Sequence, residues 1–489
     1  MMLTAHGASL EHDMSRVVHR FFLPGEGTMT VHSRMLEVVD RVLSIPEDEV
    51  DRIAEAITAD LASTQDDAAG VLIGQARAVA DRVAAQRRLT TAQLTVLGSA
   101  VTSLVSVEGA ALCNPSAVVH PSQDGLRAGE LRVAVSLRGI GEGHVSAIEF
   151  AEAVIGADHT WTFGARRSPL SRPAVTGGEW SRQHFGDALE DAAQLGDLAS
   201  AVLLALPERF SAAELEAAIA TLPSEMAMRP SSRAPLQALR EMAESTYHAE
   251  FAPDVPLSAR VLMPVLPDED HGVEDARFTR STDADDPIAY RATYTAYDGR
   301  NIAPRLLTST DLTSFDSHRL TGHGARNKGM ALFPRRVGGR HLAVSRGDGE
   351  NISLSASDDG LVWTDLGIIC SPQEVWEIIQ LGNCGPPIEM PEGWLVLTHG
   401  VGPLRTYSLG ALLLDLDDPT RVVARTRTPL LRPEGDMVDG YVPRVVYSCG
   451  GILHRGTLWV PVGVGDSRVR VYSVEVDRLL SSMTGSGDL

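Results

Sequence analysis

The sequence predicts an all-β propeller with two helical additions. Period-two runs of apolar residues dominate its middle and C-terminal parts, helical periodicity is confined to two blocks, and one hairpin motif recurs at the spacing of a propeller blade.

The β-rich runs include 131–137, 292–297, 341–345, 394–398 and 457–462, with Gly, Asp and Pro punctuating them at short intervals. The recurring motif is Ser309, Asp311 and Phe315, which returns as Ser357, Asp359 and Trp363, 48 residues later. That interval fits one four-stranded blade. In each copy the short polar residues are suited to close a hairpin, and the aromatic is suited to anchor the next strand in the blade core. Strand pairs around 412–418 and 469–476 continue the series.

The first helical block runs from Ser33 to about Leu94. Met35, Val38, Val39 and Val42 share a stripe, and Pro46 followed by Glu47 to Glu49 opens a further helix. The second runs from Phe185 to Tyr247, with Leu189, Leu195, Leu198 and Val202 at helical spacing and a capping box from Ser211 to Glu214. The expected organisation is an N-terminal helical segment over 1–104 that includes the start of the catalytic domain. A propeller over 105–480 follows, interrupted by helices at about 180–250, and then a tail over 481–489.

Composition narrows the function. A formal net charge of −21 over 489 residues disfavours nucleic acid and anionic membranes as partners, since either requires a positive face. The first twenty residues lack a signal-peptide apolar run, and no stretch has the roughly twenty apolar residues of a membrane span, so a cytoplasmic protein is expected. Cys113, Cys370, Cys384 and Cys449 lack C-x-x-C spacing, which argues against disulfides and a thiolate zinc site. There is no Walker loop, H-E-x-x-H motif or nucleophile elbow, and Gly139, Gly141 and Gly143 do not open a βαβ unit.

The β-rich segments instead hold a dense set of polar residues. Asn114, Arg138, Glu142 and His144 come first, then Glu274, Asp275, Arg277 and Asp298. Lys328, Arg346, His399, Arg405, Asp439 and Tyr441 follow. Several stand beside glycine at strand ends, as in Asp298-Gly299, His399-Gly400 and Asp439-Gly440, where a side chain can turn into a central cavity. A lone Asp-Gly is more often a solvated turn.

The ordered motifs Cys113 to Ser116, Ser136 to His144, Val273 to Arg277, Tyr294 to Gly299, Asn327 to Pro334, Gly382 to Glu389, Gly393 to Pro403 and Gly440 to Pro443 make the chain resemble glycoside hydrolase family 130. This is a five-bladed propeller family of β-mannoside phosphorylases and some β-mannosidases. The resemblance covers roughly 114–480, with the second helical block as an insertion.

The resemblance implies a single catalytic acid, Asp298, relaying its proton through the sugar 3-hydroxyl. It implies a phosphate site of Lys328, Arg346, His399 and Tyr441, whose chemistry suits an anion. Asn114, Ser116, Arg138, Asp275, Glu389 and Asp466 are expected around the mannosyl ring. Arg277, Arg405 and Asp439 complete the expected substrate contacts, together with Glu142 and His144, which are equally suited to line the acceptor subsite or to brace a loop. Inorganic phosphate is then a co-substrate, with no cofactor and no metal, and a homo-oligomer is expected.

Two positions depart from the family pattern. Arg444 stands where Asn usually follows Tyr-Val-Pro, placed to reshape the cavity or to pair with Asp439, and Val462 to Asp466 replaces the usual Tyr-Gly-x-Ser/Ala-Asp. The expected reaction is inverting phosphorolysis of β-mannosides, with β-1,2 linkages favoured, to give α-mannose 1-phosphate. An inverting β-mannosidase and a non-catalytic carbohydrate-binding propeller remain as alternatives.

Overall fold

The computed structural model describes residues 2–23, 31–62, 64, 67–83, 88–166, 169–283 and 286–485. Strands dominate, and they fall into five antiparallel four-stranded units. The first unit is Ala111–Val119, Leu131–Ile140, Ser146–Ile155 and Trp161–Phe163. The second is Gly272–Arg280, Tyr290–Tyr297, Ile302–Ser309 and Ser314–Arg319. The third is Ala331–Leu332, His341–Ser345, Ile352–Ser357 and Thr364–Cys370. The fourth is Gln380–Asn383, Gly393–Val401, Tyr407–Leu414 and Val422–Arg425.

The fifth unit begins with Val446–Tyr447, Thr457–Val464 and Arg468–Glu475, and its outer strand is Thr4–Glu11 from the other end of the chain. Each unit touches the next and the fifth touches the first, through the bridge between Ser116 and Gly450, so the ring closes as a five-bladed propeller. Sequence reading grouped 1–104 as a helical segment with the start of the catalytic domain and assigned its first residues to no particular blade. The strand Thr4–Glu11 instead belongs to the fifth blade, a pairing with residues more than 450 positions away that no local pattern announces.

The 48-residue motif is the turn between third and fourth strands in the second and third blades. Ser309 Oγ accepts from Leu312 N at 2.8 Å, and Ser357 Oγ accepts from Gly360 N at 2.8 Å. Asp311 and Asp359 then accept from the amides two residues on, at 2.7 and 2.8 Å. Phe315 and Trp363 are both buried.

The N-terminal block comprises the helices Val31–Leu43, Glu47–Leu61, Ala68–Val83 and Thr91–Ala100, closed around Met35, Val39, Val42, Ala76, Val79 and Leu97. Pro46 is the N-cap of the second helix, with its acidic first turn in place. The insertion holds Arg182–Asp191, Asp197–Ala205, Ala212–Ala220, Ser224–Ala227 and Arg233–Ala243 around a separate core of Trp180, Phe185, Leu189, Val202, Leu215 and Leu239. Glu214 accepts from Ser211 N at 2.8 Å, as the capping box requires. Strands Ala174–Gly177 and Tyr247–Glu250, on either side of these helices, add to the outer edge of the second blade.

In the tail, Thr484–Gly485 pairs with Ala424 and Arg425 of the fourth blade, and 486–489 lie outside the described residues. Among the described residues no helix is long and apolar enough to cross a membrane, and no group of three His, Cys, Asp or Glu is placed to hold a metal ion. All four cysteines are buried and unpaired.

Candidate active site

The innermost strands of the first and second blades each carry a bulge near their beginnings. Register slips between Cys113 and Ser116 in one and between Glu274 and Arg277 in the other. The extra residues turn Asn114 and Asp275 into left-handed backbone, with φ of 49° and 54°. Non-glycine residues pay for that geometry, and such strain gathers where a side chain must be aimed. The two side chains meet: Asn114 Nδ2 donates to Asp275 Oδ1 at 2.5 Å.

A cluster grows from this pair. Arg138, near the end of the second strand of the first blade, bridges Glu274 Oε1 at 2.6 Å and Asp275 Oδ1 at 3.2 Å. Lys328 Nζ stands 4.0 Å from Glu274 Oε2. Arg277 is fully buried and donates to the carbonyls of Asp275 and Cys384 and to Tyr447 Oη. In the third blade Arg346 Nε donates to the Lys328 carbonyl at 3.1 Å, and its Nη1 lies 3.4 Å from His399 Nε2. The Gln380 amide, oriented to satisfy its neighbours, accepts from both His399 Nε2 and Arg346.

Burial and charge set the protonation states. Burial works against the Asp275 carboxylate, but Arg138, Arg277 and Lys328, with Asn114, more than offset it and hold the carboxyl well below its usual range. Glu274 is pushed upward by burial, which Arg138 offsets only in part. Burial raises Asp466 to about 6. His399 is pushed far down by burial and then by Arg346 and Arg277, so it is neutral at pH 7 and serves as a hydrogen-bonding group rather than a cation.

Three of the four residues expected to bind phosphate, Lys328, Arg346 and His399, are thus together. Tyr441 is not with them: it is exposed, and its hydroxyl meets His144 Nδ1 at 2.5 Å on the rim. Of the expected mannosyl contacts, Asn114, Arg138, Asp275 and Asp466 share the cluster. Ser116 is fully buried, and its hydroxyl accepts from Phe278 N at 3.2 Å.

Glu389 lies apart, ion-paired to Arg335 at 2.6 Å. It lines a cavity of about 470 Å³ with Val118, Phe278 and Pro386, at the far ends of the same inner strands. Glu142, Arg405 and Asp439 are exposed on loops. Arg444 is at φ 64°, and among the described residues no ion pair joins it to Asp439.

Asp298, expected as the catalytic acid, stands outside these contacts. It lies in the hairpin between the second and third strands of its blade, and among the described residues no hydrogen bond or ion pair joins it to the cluster. Its Oδ1 accepts from Arg300 N and Asn301 N at 2.7 and 2.6 Å, and its Oδ2 from Asn301 Nδ2 at 2.9 Å. Asp348 makes the same three bonds to Glu350 and Asn351 at the matching hairpin of the third blade. Asp-Gly-x-Asn is therefore a turn device used twice. The bonds from Asn301, then Arg300, hold the Asp298 carboxyl at about 2.

The fold and the cluster define a propeller whose channel mouth carries a buried, mixed-charge polar site. The chain belongs to glycoside hydrolase family 130, the β-mannoside phosphorylase family: its residues 256–484 match that family's model, described as β-1,4-mannooligosaccharide phosphorylase. It is 35% identical over 224 residues to a β-1,2-mannobiose phosphorylase from Thermoanaerobacter, covering 45% of this chain and 72% of that one. A 1,2-β-oligomannan phosphorylase from the same source is 38% identical over 152 residues, 31% of this chain and 51% of the relative. Among solved structures, the Listeria innocua β-1,2-mannobiose phosphorylase in complex with β-1,2-mannobiose is 21% identical, covers 77% of this chain and 92% of its own, and has a TM-score of 0.43.

Proposed function

We propose that this chain is an inverting phosphorylase of β-1,2-linked manno-oligosaccharides, releasing α-mannose 1-phosphate. The observation that carries the reading is the placement of Lys328 beside a buried carboxylate pair, Glu274 and Asp275, with Arg346 bonded to the Lys328 carbonyl. Phosphate is already an anionic nucleophile, so the site needs cations to hold it and one acid for the departing oxygen. The β-1,2 preference rests on the relatives named for that linkage, against a family description that names β-1,4.

Asp275 is the carboxyl we assign to the acid, in place of Asp298. It is charged because Arg138, Arg277 and Lys328 face it. A phosphate bound by Arg346 and Lys328 adds negative charge beside it and draws the lysine's field away, and both effects favour its protonation. In the forward reaction a phosphate oxygen bonds to the anomeric carbon, the glycosidic C–O bond breaks, and the proton from Asp275 ends on the leaving oxygen, with the sugar 3-hydroxyl as relay.

The hydrolase reading has one observation in its favour. Asp466, raised to about 6, is a second carboxyl in the cluster that would be able to act as a base toward water. Incubation with β-1,2- and β-1,4-mannobiose, with and without phosphate, tests both readings. α-Mannose 1-phosphate formed from the β-1,2 disaccharide supports the proposal, and mannose released at an equal rate without phosphate overturns it.

A further inference from the structure

The hairpins joining second to third strands border the site, and in four of the five blades they come in two kinds. In the second and third blades they are the self-satisfied Asp-Gly-x-Asn turns. In the first and fourth blades they are a different loop, built twice. Arg138-Gly139-Ile140-Gly141-Glu142-Gly143-His144 matches His399-Gly400-Val401-Gly402-Pro403-Leu404-Arg405 position by position. Gly141 N donates to Val145 O, and Gly402 N donates to Thr406 O, each at 3.0 Å. Both loops start from a residue of the buried cluster, Arg138 in one and His399 in the other.

The last two loop residues are left-handed in both copies. In the first blade they are Gly143 and His144, at φ 68° and 61°. In the fourth they are Leu404 and Arg405, at 58° and 53°. Glycine takes this backbone freely and leucine does not. The first-blade copy shows that glycine fits, yet the fourth blade keeps a leucine whose side chain is 79% exposed and packs no core.

The loop is also firmly seated. A Cβ on Gly402 would fall 3.1 Å from the backbone of Trp376, and one on Gly400 would fall 2.5 Å from its ring, so loop and supporting turn are in close contact. The buried Glu377–Arg425 pair pins that turn. The first-blade arm has its own brace, the bond between His144 and Tyr441. Arg405 has no hydrogen bond or ion pair among the described residues.

We infer that Leu404 and Arg405 form a fixed arm that grips the leaving-group side of the mannoside and selects the acceptor in the reverse reaction. Leucine offers an apolar surface for the C–H face of a pyranose, and the free guanidinium offers donors to its hydroxyls. The arm ends the loop that starts from His399, the residue that meets Arg346. The inference rests on the phosphorylase reading above.

The test is the reverse reaction, with α-mannose 1-phosphate as donor and mannose or β-1,2-mannobiose as acceptor, on Leu404→Gly and Arg405→Ala. Each variant should raise the acceptor KM by about tenfold or more, the loss of one strong contact. The KM for phosphate in phosphorolysis should stay within about twofold. Leu404→Gly should melt no lower than the parent, because the backbone strain is relieved, and this separates a lost contact from a damaged fold. Unchanged acceptor KM values, or a shift in phosphate KM instead, overturn the arm. If the parent protein shows no phosphate-dependent turnover, the phosphorylase reading fails, and calorimetric titration with β-1,2-mannobiose then decides the arm: equal affinity in the parent and Arg405→Ala overturns it.

Discussion

Asn114 and Asp275 occupy equivalent bulges on neighbouring blades, and the amide of one donates to the carboxylate of the other. Two inner strands that share no sequence pattern at this point are thereby locked in a common, strained geometry. The bond leaves Asp275 Oδ2 for a ligand while Arg138 occupies the same side as Asn114. A carboxylate so positioned is the centre about which cations of three blades are arranged.

Asp275→Asn should therefore lower turnover about 10²- to 10⁴-fold, the usual contribution of a positioned acid, with the fold retained because Asn114 and Arg138 still find an acceptor. Asp298→Asn should keep most of its activity and show a small loss of thermal stability from the weakened turn. Steady-state rates for the two purified variants check the assignment, and the reverse ranking would return the acid role to Asp298.

Arg346→Ala should cost about 1.5–3 kcal/mol of phosphate interaction, roughly 10- to 150-fold in phosphate KM, with mannoside KM little changed. Arg346 reaches His399 and the Lys328 carbonyl but none of the residues expected to hold the sugar. Varying each substrate separately measures the two constants, and equal changes in both would remove Arg346 from the phosphate site.

The blade repeat was legible because its turn chemistry is local: Ser309 and Ser357 bond amides three residues away. Most of the cluster was legible too, since the family motifs carry Asn114, Arg138, Asp275 and Lys328. The turn role of Asp298 was not legible, because an Asp-Gly at a strand end reads alike whether it aims inward or closes its own hairpin, and the companion Asp348 to Asn351 turn was the available signal. The placement of Glu389 and Tyr441 away from the cluster was hidden for another reason. Which end of a blade a strand terminus occupies depends on ring closure, and that closure uses Thr4–Glu11, far away in sequence.

The buried pair Glu377–Arg425 supports the Trp376 turn and, through it, the fourth-blade loop. Arg425 Nη2 lies 2.6 Å from both Glu377 oxygens, and both residues are about 1% exposed. Arg425→Ala leaves a buried carboxylate without its cation, so it should destabilise the protein by about 3–5 kcal/mol. The double change Arg425→Met with Glu377→Gln should recover part of that loss. Chemical denaturation of the parent, single and double variants tests the coupling, and additive losses would deny it.

A second buried network joins the N-terminal segment to the first blade, and its response to pH has a definite sign. Arg16 and Arg166 face Glu108 and Glu149, with Arg16 Nη2 at 2.8 Å from Glu149 and Arg166 Nη2 at 2.7 Å from Glu108. Two carboxylates in one buried site oppose each other's charge, and burial first, then Glu149, raises Glu108 to about 7 from an ordinary 4.5. Between those values the folded chain holds a proton that the unfolded chain has released. Stability from this group is therefore full below about pH 4.5 and falls as pH rises toward 7. Glu108→Gln, which cannot titrate, should remove that part of the slope, so the difference in melting temperature between parent and variant should shift against the parent from pH 5 to pH 7. Melting curves across that range at constant ionic strength give the comparison, and parallel profiles would show that Glu108 is already charged at pH 5.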